Sequence, residues 1–94
     1  MRTLVEELQS TPDGQRLYLQ EWTLLGITEL ISEVMKQKKI SCSELSEKLN
    51  KSPFYIIKIL EDEEELSSFR EISDIFWAMG VKLKFDVEPI YVAT

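Results

Sequence analysis

Between Ile40 and Leu60 the chain reads ISCSELSEKLNKSPFYIIKIL, with two helix-start signals so close together that the helix between them has room for only about two turns. Ser41 and Glu44 have the spacing of a capping box, and Ile40 and Leu45 flank it as a hydrophobic staple. Leu45 and Leu49 supply the buried stripe of this stub helix. Asn50, which tolerates a left-handed backbone cheaply, ends it. Ser52-Pro53 then offers a cap and a first helical position, and Ile56, Ile59 and Leu60 form the apolar face of the next helix. A stub helix joined tightly to a second one can brace it at a steep angle, so that the second projects from the body. Plain helical bundles also contain short helices, so spacing alone leaves both arrangements open.

The flanks add further elements. Leu4, Val5 and Leu8 in TLVEEL have the spacing of a short first helix. Thr11 and Pro12 start a long one, in which Leu17, Leu24, Ile27, Ile31 and Val34 recur every three to four residues. Tyr18, Leu25, Leu30 and Met35 widen that stripe; the helix is expected to end near Lys38, with Gly26 a point where it can bend. Beyond the acid run EDEEE (Glu61 to Glu65), Ser68 and Glu71 make a second capping box. Phe69, Ile72, Ile75, Phe76 and Met79 line a helix stopped by Gly80. In VKLKFDVEPIYV, Val81, Leu83, Phe85 and Val87 alternate with Lys82, Lys84 and Asp86, which is strand periodicity ending at Pro89.

Composition narrows the function. Ninety-four residues make one domain with a modest core, too small for a two-domain enzyme with a deep cleft. With no histidine, imidazole bases and the usual zinc sets are excluded, and the single Cys42 cannot form an internal disulfide. No cofactor and no enzymatic activity are expected. No apolar run approaches membrane-spanning length, and MRTLVEELQS carries acids where a signal peptide needs an apolar stretch, so a cytoplasmic protein is expected. The net charge of −6 does not advertise nucleic-acid binding, so any such role must rest on local charge.

Residues 40–80 resemble the lambda-repressor-like (Xre) helix-turn-helix family. Leu45 stands at the family's bracing leucine, Ser46 at its small close-approach residue, Asn50 at its turn glycine, and Ile56 and Ile59 at buried recognition-helix positions. Ala78-Met79-Gly80 is similar to the Ala-Leu-Gly that commonly ends the following helix. The resemblance covers about half of the chain and implies a helix-turn-helix bundle. With the long N-terminal helix and the C-terminal β-strand read from periodicity outside it, the expected fold is mainly α. It would form one domain over 1–94, with a core at 27–80, an N-terminal helical extension at 1–26 and the strand at 81–94. It also implies that Ser52, Pro53, Phe54, Tyr55 and Lys58 meet double-stranded DNA. Cys42, Ser43 and Lys51 would lie beside them, Cys42 where the family often has a phosphate-contacting glutamine.

This chain also departs from the family pattern. Of the proposed base-facing residues only Lys58 has the donors that base edges favour; Pro53, Phe54 and Ile57 are apolar. Phe54 and Ile57 suit thymine methyls, or equally a partner protein. Tyr55 is open to half-buried packing or to phosphate donation, and Lys58 to solvation or to DNA contact. One carboxylate of the acid run about 7 Å from a phosphate in water costs roughly 0.6 kcal/mol before screening, and five facing the DNA about a few kcal/mol, an appreciable weakening. Against this stand Lys36, Lys38, Lys39, Lys48, Lys51 and Lys58, each able to release a counterion from DNA. The run is then a solvated loop or a device that repels non-specific DNA.

Trp77 lies off its helix's apolar stripe, on a face with Arg70, Ser73 and Asp74, which suits an interface or half-burial under the N-terminal helices. Trp77, Val81, Leu83, Phe85 and Val87 are the expected dimer or partner surface, since a lone strand is not stable by itself. The function expected is a transcriptional regulator, on the plan of an antitoxin-type autorepressor, binding a palindromic site as a homodimer and with room for a protein partner such as a toxin. The other reading keeps the helix-turn-helix as a scaffold for protein–protein interaction.

Overall fold

The computed structural model describes residues 11–62 and 68–90. The helix expected over Leu4, Val5 and Leu8, and the acids Glu63, Glu64 and Glu65, lie outside the described residues. Those described form a mainly helical bundle: α1 (Pro12–Lys38), α2 (Cys42–Lys48), α3 (Tyr55–Glu61) and α4 (Phe69–Ala78). No described helix is long and apolar enough to cross a membrane.

Helix boundaries follow local chemistry. The Thr11 hydroxyl accepts the Gly14 N–H at 3.1 Å, and Pro12 opens α1. Ser41 Oγ accepts the Glu44 N–H at 3.1 Å and donates to Glu44 Oε1 at 3.0 Å, so both members of the first capping box are engaged. Ser68 Oγ accepts the Glu71 N–H at 3.2 Å at the start of α4.

Three of the four helices end in the same way. Lys39, Asn50 and Gly80 take positive φ values of 56°, 59° and 77°. At each, the next residue's N–H reaches back five positions: Ile40 to the Met35 carbonyl, Lys51 to Ser46 and Val81 to Phe76, at 2.9–3.1 Å. These are Schellman closures, which satisfy carbonyls that a helix end leaves without a partner.

The core gathers Ile31 and Met35 from α1, Leu45 from α2, Ile56 and Ile59 from α3, and Ile72, Ile75, Phe76, Ala78 and Met79 from α4 and its cap. Helix α3 packs against both α1 and α2, and α2 also meets α4. Ile27, Val34, Ile40 and Leu49 close the edges. Only the C-terminal third of α1 enters this core. Its 27 residues span about 40 Å, and the molecule measures 46 × 25 × 23 Å, so the N-terminal half forms an arm.

Four expectations need correction. Leu17, Leu25 and Leu30 are exposed because they lie on the arm or turn off the core face, although α1 runs unbroken through Gly26. Phe69 is exposed because it opens α4 ahead of the buried stripe at Ile72, Ile75, Phe76 and Met79. Helix α3 begins at Tyr55, not at Pro53: the Ser52 carbonyl accepts the Tyr55 N–H at 2.9 Å, which folds Pro53 and Phe54 into a turn. Finally, residues 81–90 contain no β-strand. A strand needs a neighbouring backbone, and no described segment supplies one.

Candidate nucleic-acid interface

The candidate site is built on Ser46, which is fully buried between α2 and α3. Its Oγ accepts the Ile56 N–H at 3.1 Å and donates to the Cys42 carbonyl at 2.8 Å. Helix α3 has no side-chain cap of its own, because its cap position is Phe54. The neighbouring helix therefore supplies an acceptor for one of the N–H groups that a helix start leaves orphaned. A larger side chain at Ser46 would push the helices apart, whereas alanine would leave the Ile56 N–H buried without its acceptor. The sequence marked Ser46 only as small; its bridging hydroxyl depends on α3 starting at Tyr55, which the Ser52-Pro53 signal obscured.

With α3 seated in this way, its free face carries Phe54, Ile57, Lys58 and Glu61, at helical spacing and all exposed. Phe54 is 63% exposed and Ile57, one turn on, is 37% exposed. Ser43, Lys51, Ser52 and Pro53 are exposed as well. Cys42 is half-buried, packs against the core and has its carbonyl engaged by Ser46, so it stands back from the surface that its neighbour Ser43 reaches.

Tyr55 settles between its two alternatives in favour of packing. Its hydroxyl donates to Glu71 Oε1, tying α3 to α4. Burial, first, and then the Glu71 hydrogen bond and the negative charges of Glu71 and Asp74 push its pKa above the ordinary tyrosine value. A phenol held by a carboxylate is not free to donate to a phosphate. The Lys51 ammonium lies 5.5 Å from the centre of the Tyr55 ring, a cation–π contact worth roughly 0.5–1 kcal/mol at an exposed site. It holds one cation beside the turn that leads into α3.

Charge around the site is mixed. Lys36, Lys38, Lys39, Lys48, Lys51 and Lys58 are all exposed. Glu61 follows Lys58 on the free face of α3, and Asp62 is exposed after it. Each such carboxylate about 7 Å from a phosphate costs roughly 0.6 kcal/mol, so the two oppose the lysines, each of which displaces a counterion on meeting a phosphate.

The expected partner surface divides into two parts. Trp77 is 66% exposed and Phe69, the first residue of α4, is 86% exposed. Phe69, expected in the core, is instead exposed at the start of the same helix. Val81 and Leu83 are half-buried against the core, whereas Phe85 and Val87 are 85% and 94% exposed. Among the described residues no group of three or more cysteine, aspartate or glutamate side chains is arranged to hold a metal ion. Comparison with protein-family models, with curated proteins and with solved structures finds no match to this chain.

Proposed function

We propose that the chain is a non-enzymatic DNA-binding transcriptional regulator of the lambda-repressor-like helix-turn-helix type, acting in the cytoplasm as a homodimer on a palindromic site. The observation that carries this reading is the α2–α3 unit: Ser46 locks the two helices together, and the face of α3 bearing Phe54, Ile57 and Lys58 stays free. In this role α2 braces α3 across the groove, with Ser52 and Lys58 offering polar contacts and Phe54 and Ile57 meeting thymine methyls. Ser43, Lys51 and the lysines at the end of α1 contact phosphates. Tyr55 acts inward, as a strut to α4. The size, and the exposed Phe69 and Trp77 on α4 in addition to the free face of α3, suit an autorepressor of antitoxin type with a second protein as partner.

The test is a titration of labelled duplex DNA across salt concentrations. Retention at low salt is expected, with log K falling linearly against log salt by about 0.9 for each phosphate neutralised. Lys58→Glu is expected to weaken binding by roughly 1–3 kcal/mol. No binding at low salt, or binding indifferent to salt, would overturn the reading.

One observation favours a second reading: the free face of α3 holds Phe54 and Ile57 exposed together. A helix-turn-helix used as a protein-docking module would need that pair rather than Lys58. Phe54→Ala would then leave DNA affinity unchanged and remove binding to a protein partner.

A further inference from the structure

After the Gly80 turn, Val81 and Leu83 rest on the core, while Phe85 and Val87 stand out in water. Lys82, Lys84, Asp86 and Glu88 occupy the alternate positions and are all exposed, two cations followed by two anions. We propose that this segment pairs with its own copy from a second chain, antiparallel about a two-fold axis through Phe85.

The charge order selects that axis. With Phe85 opposite the partner's Phe85, Lys84 faces the partner's Asp86 and Lys82 faces the partner's Glu88. On the other face, Leu83 meets the partner's Val87. Every cross-strand pair is then opposite in charge or wholly apolar, the combinations that stabilise a two-stranded ladder. An axis one residue to either side would set Lys84 against Lys84 or Asp86 against Asp86, and like charges directly opposed are destabilising. An axis between residues would place charged side chains opposite apolar ones.

Backbone chemistry agrees. If the Phe85 pair is a non-hydrogen-bonded one, the even-numbered residues exchange the ladder bonds and the odd-numbered N–H groups point away. Pro89 is odd-numbered, so its missing N–H takes nothing from the ladder. The Val87 N–H is also odd-numbered, and it already bonds Asp86 Oδ1 at 2.8 Å.

A two-stranded ribbon needs backing to persist in water. The arm of α1 supplies it: Tyr18, Leu19 and Trp22 face Pro89 and Ile90 across an open cleft of about 750 Å³. The pairing rests on the homodimer of the proposed function but uses no DNA contact, so its loss with DNA binding retained, and the loss of DNA binding with the dimer retained, are distinct outcomes.

The test is a charge exchange read by light scattering. Lys82→Glu/Lys84→Glu makes the segment wholly acidic, and Asp86→Lys/Glu88→Lys makes it wholly basic. Wild type is expected at twice the chain mass, each double variant alone at the single-chain mass, and an equimolar mixture of the two at twice the chain mass again. A monomeric wild type, a variant that stays dimeric alone, or a mixture that stays monomeric would each overturn the proposal. A second measurement does not depend on removing any charge pair. In a Cys42→Ser background, Phe85→Cys is expected to form an intermolecular disulfide under mild oxidation, because a non-hydrogen-bonded pair brings Cα atoms to about 4.5 Å. Lys84→Cys is expected not to do so; equal cross-linking of both would place the axis elsewhere and sink the register.

Discussion

At the scale of single residues, two hydroxyl groups hold the candidate site in place. Ser46 joins α2 to α3 by accepting from one helix and donating to the other. Ser46→Ala keeps the close packing but strands the Ile56 N–H, a loss of roughly 1–3 kcal/mol for a buried donor; urea unfolding should show it as a lower midpoint with unchanged slope. The Tyr55 hydroxyl ties α3 to α4 through Glu71. Because folding raises the Tyr55 pKa, the unfolded chain loses the phenolic proton first as pH climbs. This contribution to stability is therefore complete below about pH 10, the ordinary tyrosine value, and declines above it. Tyr55→Phe should cost about 1 kcal/mol at neutral pH and flatten the decline in thermal midpoint between about pH 10 and 11.

At the scale of elements, the capping chemistry of the sequence was legible to the residue for α1, α2 and α4. Thr11-Pro12, Ser41 with Glu44, Ser68 with Glu71, and the left-handed Asn50 are local devices whose effect needs no tertiary context. The start of α3 was not legible, because its acceptor comes from Ser46 ten residues earlier in the chain. Nor was the exposure of Phe69 or of the α1 arm, since periodicity reports an apolar face but not whether anything covers it. Of the residues expected to meet DNA, Ser52, Phe54 and Lys58 are exposed, whereas Tyr55 turns inward and Cys42 stands back.

The left-handed helix ends and the glycine inside α1 make separate tests. Lys39 holds a positive φ without being glycine, so Lys39→Gly should stabilise by about 1 kcal/mol. Gly80→Ala should destabilise by a similar amount, since its φ of 77° is one that side chains rarely adopt. Gly26 lies inside α1 with open space where a Cβ would sit. Gly26→Ala should therefore add roughly 0.5–1 kcal/mol, raising the thermal midpoint by a few degrees.

At the scale of the whole molecule, an acidic protein carries exposed lysines on α3, on the turn before it and at the ends of α1 and α2. The net charge of −6 opposes approach to DNA at long range, and screening removes most of that opposition beyond about 8 Å at physiological salt. In the proposed role, contact would then depend on Lys51 and Lys58 at α3, with Lys36, Lys38, Lys39 and Lys48 adding to the attraction. Affinity should consequently be modest for a single chain and gain from pairing two chains, which places two α3 helices on one duplex. Moving the salt concentration from about 50 to 200 mM should weaken binding more steeply for wild type than for Lys51→Ala, whose log–log slope should be shallower by about one.

The most direct measurement is an amide chemical-shift titration of the labelled protein with duplex DNA at low salt. Shifts concentrated at Ser43 and from Lys51 to Lys58, with Phe69 and Trp77 unmoved, are the expected result. Shifts confined to the α4 side, or none anywhere, would contradict a DNA-facing α3.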